Sequence, residues 1–206
     1  MIKRFIVFVV GMNVLAIGII LNTKSLLGVG SINTLPYALA NILSVSLGTM
    51  TTMVYLVFII IQLILLKRFD LQVIIQLPFS FIFGYLIDFY DLFFSYEPTA
   101  FYMQIVILII AIVLTALGAF LMVLGDIVLN PADGLVHTIG KVTNKDFGFV
   151  KNIADLVFIV LTVVICLVTK GYILGIGIGT VVSAIFIGRF VALYQNIYNH
   201  LQESKI

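Results

Sequence analysis

The sequence predicts an all-α polytopic membrane protein, with six transmembrane helices in two inverted three-helix repeats. Each repeat is expected to carry a broken, re-entrant segment after its first helix. Three observations support this. The chain is 63% hydrophobic and only 10% charged, with a mean hydropathy of +1.27; soluble domains are roughly 45–50% apolar. Six apolar runs are long enough to cross a bilayer core, which takes about 20 helical residues. Landmarks of the first hundred residues also recur in the second hundred.

The six runs are 5–21, 48–66, 71–89, 101–124, 148–168 and 171–193. The first follows Met1-Ile2-Lys3-Arg4 as in a signal peptide, but no small-x-small cleavage site comes after it, so a retained span is expected. Less regular apolar segments, 26–47 and 126–147, follow the first and fourth runs. Each holds a break and then a helical piece of about ten residues, too short to cross. That predicts half-helices that re-enter the bilayer or lie along its surface. Gly28, Gly30 and Pro36 make the first break, and Pro131 and Gly134 the second. In Leu129-Asn130-Pro131-Ala132-Asp133-Gly134 one helix stops and another starts, with Asp133 expected as N-cap and Gly134 allowing close backbone approach.

With an offset of 100, Gly18 matches Gly118, Leu35 matches Leu135 and Gly48 matches Gly148. Leu56-Val57-Phe58-Ile59 recurs as Leu156-Val157-Phe158-Ile159, and Ile82-Phe83-Gly84 lines up with Phe186-Ile187-Gly188. Three spans per half is an odd number, so the halves must lie in opposite orientations, the layout of many secondary transporters. The expectation is one membrane domain over 1–206, with repeats of about 1–98 and 99–206. With the N-terminus inside, Lys3, Arg4, Lys67, Arg68, Lys141, Lys145, Lys151, Arg189 and Lys205 fall on the cytoplasmic side. Only Lys24 and Lys170 fall outside, a strong positive-inside bias that puts both termini in the cytoplasm. Asp88, Asp91 and Glu97 then face outward.

Several function classes lack support. A formal charge of +2 without a basic face does not suit a nucleic-acid partner. No nucleophile stands at useful spacing from a base, and no Cys, His, Asp and Glu set has metal-ligand spacing, so neither an enzyme nor a cofactor or metal site is expected. Cys166 lies mid-span and reads as a buried apolar filler. Gly175-Ile176-Gly177-Ile178-Gly179 follows no strand, so it is not a phosphate loop. Gly171, Gly175, Gly179 and Ser183 recur every four residues, a small-residue stripe for packing within the chain or against a second copy in a homodimer.

The candidate site residues are polar groups inside apolar segments. Asp133 and His137 share a helical face, and Asn33 and Tyr37 have the same spacing in the first half. These four either contact a ligand in a midplane cavity, or cap helices and sit at the headgroups. Asp155 lies two turns inside the fifth span, where a carboxylate costs roughly 2.5–3.5 kcal/mol unless paired or wet. It is either a proton- or cation-coupling residue or the partner of Lys151, four residues back. Tyr55 holds the equivalent place in the second span. Asp126 reads as interfacial, and Asn13 and Gln76 as buried amides in interhelical hydrogen bonds. Gln76 aligns with Thr180 as a cavity-lining pair and precedes Pro78, which predicts a kink.

Asn130-Pro131-Ala132-Asp133-Gly134-Leu135 resembles the second-half signature of the bacterial YczE/YitT-like membrane proteins, a Gly-Pro-Arg-Asp-Gly-Leu type stretch. Leu27-Gly28-Val29-Gly30-Ser31-Ile32-Asn33 is similar to their first-half Gly-Val-Ser-Pro-Trp-Asp type stretch, and Gly175–Val182 to their closing Gly-x-Gly-Thr-Val element. This chain has Asn33 in place of Asp, Ala132 in place of a basic residue, and no Trp. The resemblance implies a bacterial plasma-membrane protein with a transport role, and B6 vitamers as a candidate cargo. The expected function is a small secondary transporter or permease for a small polar metabolite. The alternatives are the substrate-binding subunit of a vitamin uptake complex, and a membrane scaffold that transports nothing.

Overall fold

The computed structural model describes residues 2–96 and 98–203. Glu97 of the expected outward acidic cluster and Lys205 of the expected cytoplasmic set lie outside the described residues. The described residues form α1 (Ile2–Lys24), α2 (Ser31–Leu43), α3 (Leu47–Leu66), α4 (Leu71–Ile74), α5 (Gln76–Asp91), α6 (Phe101–Gly125), α7 (Pro131–Thr143), α8 (Phe147–Lys170) and α9 (Ile178–Glu203). Six stretches are long and apolar enough to cross a membrane: α1, α3, Leu71–Asp91, α6, α8 and most of α9. This is the make-up of a multi-pass membrane protein. α2 and α7, at 13 residues each, are too short to cross.

Local chemistry sets the helix ends. Ser46 caps α3 by accepting the Thr49 N–H, while Asp88 reaches over from α5 to accept from the Gly48 N–H at 2.7 Å and the Ser46 hydroxyl at 2.6 Å. α7 begins at Pro131, whose missing N–H costs nothing at a first helical position. The cap therefore falls one residue earlier: Asn130 accepts from the Ala132 N–H at 3.0 Å. Asp133 is the third helical residue and not the N-cap expected above. Asn33 likewise lies inside α2, its N–H bonded to the Gly30 carbonyl at 2.8 Å.

Pro36 does not break its segment. It is buried within α2, and the interruption lies ahead of it, where Gly28 takes a φ of +108°. Pro78 does interrupt a helix: its ring and missing N–H disturb the turn before it, and α4 passes to α5 at Ile75. The expected span 171–193 also starts late. Gly171 and Gly175 take positive φ, and α9 begins only at Ile178. The glycine stripe is consequently not one helical face. Its loop lies against the loop before α2, with the Val29 N–H bonded to the Gly175 carbonyl at 2.8 Å and the Gly179 N–H to the Leu27 carbonyl at 2.7 Å. A Cβ on Gly28 would stand 2.5 Å from the Gly177 nitrogen, so this crossing requires bare backbone.

α1 and α6 form the most extensive helix contact. They run antiparallel, since Gly125 lies against Phe8, Gly118 against Leu15, and Gly18 against Thr115. Small residues let the backbones approach closely, the usual device where lipid removes the hydrophobic drive for association. α2 packs on α8 and α3, and α7 packs on α3 and α8. An aromatic core of Phe8, Phe79, Phe83, Tyr55, Phe58 and Phe158 fills the space between α1, α3, α5 and α8. The Tyr90 hydroxyl donates to Asn13 Oδ1 at 2.7 Å, so Asn13 makes the expected interhelical bond.

Close packing of α1 on α6 gives a stability test. A Cβ at Gly18 would stand 2.6 Å from the Thr115 backbone nitrogen, so Gly18→Ala must push two helices apart. Overpacking of this kind costs about 1–3 kcal/mol. Gly188 has no atom within 4 Å of an added Cβ, so Gly188→Ala should leave stability level or raise it. Melting of the purified protein in detergent should therefore drop for Gly18→Ala and not for Gly188→Ala.

Candidate functional site

The site grows from the two short helices. Asn130 and Asp133 at the N-terminus of α7 face Tyr55, which is buried in the middle of α3. On the other side, Asp133 Oδ1 accepts from Lys151 Nζ of α8 at 3.1 Å. One turn further along α8, Asp155 interacts with Lys151, with Asp133 and with the Ser31 hydroxyl at the N-terminus of α2. Its Oδ1 is buried with no hydrogen-bond partner among the described residues. The N-termini of both short helices thus meet at a Lys151, Asp133 and Asp155 charge cluster. An acidic side chain in the first turn of α7 also suits the positive end of that helix.

A cavity of about 330 Å³ leads to this place from the end of the bundle formed by Leu66, Asp70, Asp126 and Lys141. Its lining includes the half-buried Asn130 and Asp133 and the buried Gly134, Gln62, Gln76 and Thr138. Gln62 and Gln76 form a reciprocal amide pair: Gln62 Nε2 donates to Gln76 Oε1 at 2.9 Å, and Gln76 Nε2 to Gln62 Oε1 at 3.2 Å. Gln62 Nε2 also donates to the Pro131 carbonyl at 3.3 Å, and the Thr138 hydroxyl donates to Gln62 Oε1 at 3.4 Å. The pair thereby ties α3 and α5 to the start of α7. A Cβ on Gly134 would lie 2.6 Å from Gln76 Nε2, which accounts for glycine there. At the exposed end, Arg68 bonds Asp70 at 2.9 Å and holds its carboxyl below the usual carboxylate range. Asp126 stands 3.8 Å from Arg4 just past the end of α6, both well exposed.

A second cavity, of about 410 Å³, lies at the opposite end, where α1 and α5 finish and α3 begins. Tyr37, Asn41, Ser44 and Ser46 line it beside the ion pair of Lys24 with Asp91 at 2.8 Å. Between the two cavities stands the α2–α8 contact, where Thr162 donates to Thr34 Oγ1 at 3.1 Å, together with the Gly28–Gly177 crossing.

The predicted residues are therefore divided. Asp133, His137 and Gln76 share the first cavity, and Tyr37 lines the second. His137 and Tyr37 separate because their helices leave the meeting point toward opposite ends. Asn33 lines neither cavity. Thr180 is fully buried at the loop crossing, its hydroxyl donating to the Gly175 carbonyl at 3.3 Å, and is not paired with Gln76. Sequence reasoning passed over Asn130, Ser31 and Gln62 as site residues, and it assigned Lys151 to the membrane boundary. Gln62 had a signal, being one amide inside an unbroken apolar run.

The amide pair can be tested directly. Gln62→Leu leaves both polar groups of Gln76 buried and unpaired, at a cost of about 1–3 kcal/mol. Gln62→Leu/Gln76→Leu removes the orphan and should recover part of that loss. A double-mutant cycle read from melting in detergent should show coupling above about 0.5 kcal/mol.

The comparisons with known proteins show a family alone. No curated protein and no solved structure matches the chain. A model of a family of unknown function, DUF6198, matches residues 2–196, and the chain belongs to that family.

Proposed function

We propose that this protein is a small secondary transporter, or permease, for a small polar solute, with its site between two inverted halves. The carrying observation is the meeting of the α2 and α7 N-termini at a charged cluster reached by a cavity. Interrupted helices whose ends face polar groups deep in an apolar bundle are the usual construction of transporter sites. Ionisable groups at such depth are costly, and they persist where they serve a ligand or ion path.

Several features support inverted repeats. α2 and α7 start and end at positions separated by 100, and both close on left-handed residues, Ser44 and Asn144. The equivalent helices α1 and α6 run antiparallel, and contact of α2 with α8 is mirrored by contact of α7 with α3. Under this reading α2 and α7 are re-entrant half-helices. The positive-inside bias puts the 330 Å³ cavity on the cytoplasmic side and the Tyr37 cavity outside. Rocking of the halves would open one cavity as it closes the other. The volume lies at the small end of ligand pockets, which favours a compact solute. The likeness to YczE/YitT-like proteins supports the same assignment.

Two measurements test the proposal. A solute at a hundred times its Kd should stabilise the detergent-purified protein by about 2.7 kcal/mol in a melting screen of vitamins, amino acids and small organic ions. Asp133→Ala should abolish that shift and also uptake of the same solute into proteoliposomes, while Gly188→Ala leaves both in place. Uptake of a confirmed substrate that is unchanged in Asp133→Ala would refute the proposal.

A further inference from the structure

We infer that the solute carries an ammonium group, which binds Asp133 by displacing the chain's own Lys151 onto Asp155. This rests on the transporter reading and specifies its substrate class. The site already holds an ammonium: Lys151 Nζ lies 3.1 Å from Asp133 Oδ1, on a carboxylate that lines the cavity. Asp155, one helical turn from Lys151, offers a carboxylate oxygen that is buried and unpartnered among the described residues. A lysine stem spans an i, i+4 separation, so Nζ can serve either carboxylate.

Asp133, Lys151 and Asp155 together carry one net negative charge, and the other groups facing them, Tyr55, Asn130 and Ser31, are uncharged. A monovalent cation on Asp133, with Lys151 moved to Asp155, leaves every charge paired. An incoming anion would meet Asp133 at the cavity wall, and the lysine that lines this cavity, Lys141, stands two helical turns away at its mouth. The Gln62–Gln76 amides and the Thr138 hydroxyl supply hydrogen-bonding groups for the polar remainder of the solute.

The test is calorimetric titration of the full chain in detergent with methylammonium, ethanolamine and 1,4-diaminobutane, against acetate and lactate. At least one ammonium probe should bind and both anions should not. Asp133→Asn should lose that binding. Asp155→Asn, which leaves Lys151 only Asp133 to pair with, should weaken it about tenfold or more. Lys151→Met/Asp155→Asn keeps the net charge and removes the competitor, so it should restore binding and exceed the native affinity. Rescue by the double variant separates partner exchange from a merely structural role of Asp155. The inference is overturned if no ammonium probe binds, if Asp155→Asn binds like the native protein, or if the double variant fails to rescue. Ammonium binding with this pattern but no flux in proteoliposomes would keep the site and refute transport. Flux of acetate or lactate without ammonium binding would keep transport and refute the site.

Discussion

A helix broken inside an apolar bundle leaves backbone groups that only the chain itself can satisfy, and much of this structure follows from that constraint. In hydrocarbon an unpaired N–H or C=O costs several kcal/mol. The break before α2 meets this cost with backbone, through the exchange between Leu27–Val29 and Gly175–Gly179. The break before α7 meets it with side chains, Asn130 at the cap and Gln62 at the Pro131 carbonyl. Each solution dictates its neighbours. Backbone pairing needs glycines at 28 and 177, and the amide solution needs Gln76 to complete the pair and Gly134 to make room.

The same constraint explains why the charges lie where they do. Once the two short helices end deep in the bundle, their N-termini create positive partial charge there. Asp133 stands at one of those ends and draws Lys151, while Asp155 faces the other through Ser31. Asp88, Asp91 and Asn13, outside this meeting point, cap and tie helices: Asp88 closes α3, Asp91 pairs with Lys24, and Asn13 holds Tyr90.

The sequence was legible where chemistry is local and opaque where it depends on direction. Six spans and two short helices follow from run length, and Pro131 and Pro78 mark a start and a kink as their covalent structure requires. Pro36 misled because α2 runs on through it, and the break was set instead by Gly28. The glycines at 171 and 175 kept helical spacing, yet their φ values are positive, and nothing in a four-residue period reveals φ. Pairing Asn33 and Tyr37 with Asp133 and His137 was sound by alignment. Two helices that depart from one point in opposite directions share only their first residues, so Tyr37 and His137 part company. Lys151 was hidden for another reason: a lysine near a span end snorkels outward by default, and only a partner as deep as Asp133 turns it inward.

The central claim is that water and solute reach the α7 break, deep in an apolar bundle, from one end only. Accessibility of introduced cysteines to a membrane-impermeant thiol reagent tests it most directly, in a Cys166→Ser background carried in sealed vesicles of either orientation. Asn130→Cys and Thr138→Cys should react only from the side that bears Arg4 and Lys141. Thr34→Cys and Thr162→Cys, at the closed contact, should react from neither. Labelling of the 130 and 138 positions from both sides, or from neither, would contradict a one-sided cavity ending at the broken helix.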